Sequence, residues 1–104
     1  MKPLDAINDT LLKALRKLRF SPPVVHVYNP LEYARQSYDS YLHRYAAPSR
    51  EVVLLGMNPG PWGMAQTGVP FGEVAAVRDW LKIQAPVKAP ARMHFRRPVE
   101  GFNC

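Results

Sequence analysis

Cysteine is nearly missing from the chain: Cys104 is the single one among 104 residues, which excludes an internal disulfide and any zinc site built on cysteines. A reducing, intracellular compartment is the expectation. Acidic residues are scarce too, with 8 Asp and Glu against 14 Lys and Arg and a formal net charge of +6. That balance permits a polyanionic partner such as nucleic acid without selecting one. Long apolar runs are also lacking. The longest, Val52, Val53, Leu54 and Leu55 followed by Gly56 and Met57, falls far short of the ~20 residues a membrane helix needs. Asp5 and Asp9 interrupt the first apolar stretch, which is unlike a signal peptide. No repeat, heptad or low-complexity block is present, and the 11 prolines are spread over the connections, so nothing marks a domain boundary.

What is there reads as globular, with 47% hydrophobic and 21% charged residues, and the length suits one small domain. Ile7, Leu11, Ala14, Leu15 and Leu18 recur at helical spacing, with Lys13, Arg16, Lys17 and Arg19 toward the negative end of the helix dipole; Pro22 and Pro23 stop that helix. Val24, Val25, Val27 and Tyr28 suit a short strand crowded by prolines. Asn29 can cap a second helix, with Pro30 at its first position and Glu32 reaching back. Leu31, Ala34, Tyr38, Tyr41, Leu42 and Tyr45 form its face, and Pro48 ends it. Residues 52–55 show no polar alternation, the pattern of a strand covered on both faces in a parallel α/β sheet. A Gly/Pro-rich loop follows from Gly56 to Gly72. Glu73 opens a further helix with Val74, Val77 and Leu81 on one face and Arg78 and Lys82 on another, and the rest, from Gln84 to Cys104, reads as loop or extended chain.

These elements conflict with one another. A strand buried on both faces needs neighbours, and sheets usually hold about 4–6 strands. The sequence offers two, so an incomplete domain is expected.

Chemistry is expected in the loop after residues 52–55, because open α/β sheets place ligands at the carboxyl ends of their strands. That loop has neither a Walker lysine nor G-x-G-x-x-G spacing, so neither common phosphate cradle is supported. Its glycines and prolines give a stiff backbone that can approach a flat ligand, and its Asn, Gln and Thr side chains are neutral.

The contiguous stretch Gly56-Met57-Asn58-Pro59-Gly60-Pro61-Trp62-Gly63-Met64-Ala65-Gln66-Thr67-Gly68-Val69-Pro70-Phe71-Gly72-Glu73-Val74 closely resembles the first active-site motif of the single-strand-selective monofunctional uracil-DNA glycosylases. The short core Gly-x-Asn-Pro-Gly is shared with the mismatch-specific uracil/thymine glycosylases, and the extension from Met64 to Val74 separates the two families. Arg78-Asp79-Trp80-Leu81 and the preceding helices are also similar to the former. Trp62 stands where that family commonly has phenylalanine.

The resemblance implies the first part of a single α/β/α three-layer domain with a central parallel sheet, running over residues 1–104 and truncated after the first motif and the following helix. It implies base-excision repair: hydrolysis of the N-glycosidic bond of uracil and of oxidised pyrimidines such as 5-hydroxymethyluracil in single- and double-stranded DNA. It implies no metal or organic cofactor, no membrane partner, and a monomer for the complete enzyme. By the same resemblance Asn58 orients the attacking water, Phe71 stacks on the flipped base, the backbone at Met57 and Phe71 bonds the pyrimidine oxygens, and Gly60 and Met64 shape the pocket edge. Family elements of a second kind, an asparagine reading the uracil edge and a His-Pro-Ser loop, are not found in these residues. His26, His43 and His94 lie in no such motif.

Bottom-up readings stay open beside these roles. Asn58 before Pro59 suits an ordinary turn, Phe71 suits a core, and Tyr38, Tyr41 and Tyr45 at helical spacing suit a half-buried face. Lys82, Lys88, Arg92, Arg96 and Arg97 occur with no acid among them, so Lys88, Arg92, Arg96 and Arg97 are candidate DNA contacts or a solvated basic loop. The alternative function is a non-catalytic basic module that binds nucleic acid or protein and keeps the motif as structure.

Overall fold

A computed structural model of the chain describes residues 2–46 and 49–104. Helix α1 spans Lys2–Arg16. Its end falls before the proline pair, where Leu18 N–H turns back to Leu15 O at 3.1 Å. The expected second helix is split at Ala34 into α2 (Pro30–Tyr33) and α3 (Arg35–Tyr45). Asn29 caps α2 as expected, its side chain accepting from Leu31 N–H at 3.2 Å with Pro30 in the first turn. Glu32 does not reach back to the cap, because Arg16 from the end of α1 takes its carboxylate at 2.8 Å. The expected stop at Pro48 lies outside the described residues.

The break at Ala34 has a packing counterpart. Ala34 is fully buried, and a Cβ on Gly68 would lie 2.6 Å from its carbonyl oxygen and 2.7 Å from its Cβ. Gly68, at φ +77°, is therefore what lets the later loop press on the α2–α3 joint. That loop is not wholly irregular, since it contains a short helix α4 (Met64–Thr67). After Glu73, whose carboxylate accepts from Ala76 N–H at 2.9 Å, a wide π-type turn runs over Ala76–Trp80, with Leu81 N–H reaching back to Ala76 O at 3.0 Å. Val74 and Val77 are buried there while Arg78 and Lys82 are exposed, which is the face division expected from sequence.

Two small apolar clusters hold these pieces together: Tyr33, Ala34 and Val99 with Tyr28 and Val87 against them, and Val69, Val77 and Ile83 with Tyr41, Leu81 and Phe102 against them. Both include residues from the final third of the chain. The stretch after Gln84 is irregular apart from a bridge between His94 and Arg97 and a 3-10 turn at Gly101–Asn103, yet it is tied down. Lys88 N–H, for example, donates to Tyr33 O at 2.9 Å.

The expected central parallel sheet does not form among the described residues. Residues 52–55 are unpaired, with exposures of 74, 83, 75 and 93%, and Val24, Val25 and Val27 run irregularly at 46–70%. A strand built to be covered on both faces gains nothing from extended pairing when no neighbouring strand is present. Helix α1 shows the same vacancy of partners. Ile7 and Leu11, from the apolar set that recurs at helical spacing, are 61% and 41% exposed, whereas Asn8 and Leu12 are buried. Polar contacts attach α1 to α3: Arg35 bonds Asp9 at 2.9 Å and His43 bonds Asp5 at 3.0 Å. The His43 ring holds the Asp5 carboxyl below its ordinary range.

Candidate active site

The motif loop forms an open cleft of about 790 Å³, within the size range of small-molecule sites. Met57, Asn58, Gly60, Met64 and Phe71 all line it, so the five residues singled out in the sequence converge on one surface. Glu73, near the end of the motif, lines it as well, and so do Leu11 of α1, Leu54 and Leu55, which the sequence reading did not put there.

Phe71 has the most constrained backbone of the group. Gly72 N–H donates to Val69 O at 2.9 Å, closing a turn with Pro70 and Phe71 at its centre. Phe71 takes φ +57°, the left-handed region that glycine or asparagine ordinarily fills after proline in such a turn. The surroundings enforce it. Thr67, fully buried, donates from Oγ1 to Gly72 O at 2.7 Å and accepts from Val69 N–H at 3.2 Å. At Gly72 a Cβ would lie 2.5 Å from Val77 Cγ2, so only glycine lets the turn sit on the core. Phe71 remains 69% exposed, its ring edge lying where a Cβ on Gly56 would be met at 3.2 Å. The strained conformation thus presents an aromatic ring to the cleft instead of burying it in a core.

Asn58 is exposed beside it. Its Nδ2 donates to Pro59 O at 3.2 Å, which leaves the Oδ1 carbonyl without a protein partner among the described residues. An amide held this way can accept from a water while acting as no strong base. Met57 is 96% exposed, and Gly60 and Met64 are half-buried at the rim.

Gln66 supports the cleft from behind, and sequence reading assigned it no role. At 1% exposure it fills its hydrogen-bonding capacity. Nε2 donates to Pro61 O at 2.9 Å and Pro98 O at 2.7 Å, while Oε1 accepts from Glu100 N–H at 2.7 Å and Gly101 N–H at 3.0 Å. One side chain therefore joins the motif loop to the final segment of the chain. Tyr33 adds a second tie, its hydroxyl donating to Ala65 O, and burial pushes that phenol upward. Partners so distant in sequence leave no local pattern by which these roles could be read.

The basic candidates are all exposed. Lys88 and Arg92 share a groove with Arg16 and Tyr28, while the Arg97 guanidinium lies 5.8 Å from the ring centroid of Trp62 in the motif loop.

No protein-family model matches the chain. Curated relatives do. The single-strand selective monofunctional uracil DNA glycosylase of Bos taurus is 57% identical over 90 residues, which cover 86% of this chain and 33% of the relative. Proteins of the same name from Mus musculus and Rattus norvegicus are each 53% identical over 90 residues, with 86% of this chain and 32% of theirs covered. The resemblance carried by residues 56–74 therefore extends well beyond the motif, and the chain matches the single-strand selective monofunctional uracil-DNA glycosylase family over 86% of its length while spanning about a third of the length of the relatives it matches.

Proposed function

We propose that these residues form the base-holding part of a uracil-DNA glycosylase of base-excision repair, acting on uracil and oxidised pyrimidines such as 5-hydroxymethyluracil in single- and double-stranded DNA. The observation that carries this reading is the exposed Phe71 ring, held on a left-handed turn in the same cleft as Asn58. A flipped base must recover the cost of leaving its stack, and an aromatic surface returns roughly 1–3 kcal/mol per base. In this reading Phe71 supplies that surface, and backbone groups at Met57 and Phe71 bond the pyrimidine oxygens. Breaking the N-glycosidic bond builds negative charge on the departing base, so donors at those oxygens lower the barrier. Asn58 Oδ1 orients the water that attacks the sugar carbon.

The same reading accounts for residues 52–55. They become a central strand of a parallel sheet when further chain covers both their faces. The 104 residues by themselves leave the cleft open on that side and contain no His-Pro-Ser motif to stabilise the leaving base. Little or no excision by this chain alone is therefore expected.

The test is uracil release from a single-stranded oligonucleotide, comparing the 104-residue chain with a form extended to the length of its relatives. The extended form should release uracil and lose that activity in Asn58→Ala, whereas the short chain should release little. Robust Asn58-dependent release by the short chain would sink the expectation of inactivity, and an extended form without release would sink the enzymatic reading. The second reading, a non-catalytic basic module, is favoured by the exposed Lys88, Arg92, Arg96 and Arg97. Equal binding of uracil- and thymine-containing oligonucleotides would support it.

A further inference from the structure

The turn of residues 94–97 is held rigidly for a loop that buries so little. Arg97 N–H donates to His94 O at 3.1 Å and closes it. The Tyr28 hydroxyl then grips both legs, accepting from His94 N–H at 2.7 Å and donating to Arg97 O at 2.8 Å. Arg96 N–H adds a bond to His94 Nδ1 at 3.0 Å. Tyr28 in turn packs edge-on against Tyr33, with centroids 6.2 Å apart, so the turn is braced on the apolar cluster of Tyr33, Ala34 and Val99.

What this brace displays is Phe95, 80% exposed at the tip. The His94 ring lies nearly parallel to it with centroids 5.3 Å apart, and the Arg96 guanidinium is 5.3 Å from its centroid. With both neighbours in place the residue still keeps 80% of its surface open to solvent. On the other leg Arg97 lies against Trp62, itself 49% exposed, whose neighbour Gly63 lines the cleft, as does Gly60 two residues before it. An aromatic ring is thus paired with a guanidinium group both at the tip of the turn and beside the candidate active site. No acidic residue occurs between Asp79 and Glu100 to compete for those cations. An acidic peptide would use the charges but has no need of a displayed phenyl ring, whereas an unpaired nucleotide uses both, the base on the ring and the phosphate on the guanidinium.

We propose that the turn of residues 94–97 is a binding platform for unpaired nucleotides, with Phe95 stacking a base and Arg96 contacting the adjoining phosphate. The choice of a nucleic acid deepens, and rests on, the DNA-acting reading above; the platform itself is separate from the uracil-holding cleft. The test is fluorescence anisotropy of a labelled twelve-nucleotide oligothymidylate titrated with the 104-residue chain and its variants. Because the probe contains no uracil, its result is independent of the excision assay, and either proposal can fail alone.

Phe95→Ala should weaken binding roughly 5- to 150-fold, and Phe95→Trp should retain it. Arg96→Ala should reduce the log–log salt slope by about 0.7, the value for one phosphate contact on a single strand. Polyglutamate, which has no bases, should bind the wild type and Phe95→Ala alike. Wild-type chain that fails to bind oligothymidylate, Phe95→Ala that binds as wild type, Phe95→Trp that binds as poorly as Phe95→Ala, or an equal loss for polyglutamate would each overturn the assignment.

Discussion

Replacing Phe71 by glycine should stabilise the chain relative to replacing it by alanine, although both remove the ring that the proposed function needs. The two variants lose the same contact with Gly56, so the ring cancels from the comparison. What remains is the backbone. At φ +57° alanine keeps a Cβ in the left-handed region, at a cost of about 1–2 kcal/mol, and glycine does not. Glycine gives back part of that advantage, roughly 0.4–1 kcal/mol, through the larger freedom of its unfolded chain. The difference should be about 0.8 kcal/mol in favour of Phe71→Gly, or about 3–6 °C in Tm for a domain of this size. Urea and thermal unfolding of the two variants measure it directly, provided the urea slope is the same in both. An alanine variant as stable as the glycine variant would refute the claim that the Thr67 and Gly72 contacts hold this turn in a strained state. If the difference appears, the site carries a cost in stability that only the exposed aromatic ring explains.

Gln66→Leu should cost about 3 kcal/mol or more in urea unfolding, since it strands the carbonyls of Pro61 and Pro98 and the N–H groups of Glu100 and Gly101; a loss under 1 kcal/mol would contradict the bracing role. Burial raises the Tyr33 and Tyr38 phenols, so the folded state holds their protons more tightly than the unfolded state does. That stability is fully present below pH ~10 and declines as pH rises further, and Tyr33→Phe should flatten the decline in Tm between pH 10 and 12. Leu55→Ser, at 93% exposure, should leave the stability of the 104-residue chain within about 0.5 kcal/mol, whereas Ile83→Ala, at 1%, should cost about 2–5 kcal/mol. A large loss in Leu55→Ser, measured by the same unfolding curves, would mean that residues 52–55 are covered in solution.

Local signals and their limits explain what could be read in advance. The cap at Asn29, the helical periodicity of α1 and the buried Val74 and Val77 depend on neighbours within a turn or two, and each is found as the sequence implies. The split of the second helix at Ala34 could not be read this way, because its packing partner is Gly68, far along the chain. The periodicity of α1 predicts the helix but not what covers it: Ile7 and Leu11 share its apolar spacing and are exposed, because burial depends on what packs against the helix.

The sequence by itself determined the motif, the family it resembles and the mismatch between a doubly covered strand and a chain with too few strands to cover it. Those follow from residue identity and short-range periodicity, which survive in any part of a domain. Only the tertiary structure decided that Phe71 sits on a left-handed turn, that Gln66 joins the motif loop to the final segment, that Tyr28 braces the turn carrying Phe95, and that residues 52–55 remain uncovered. Each of these depends on groups separated along the chain, or on neighbours that must be present to pair, and long-range contact is the one property that no local pattern encodes.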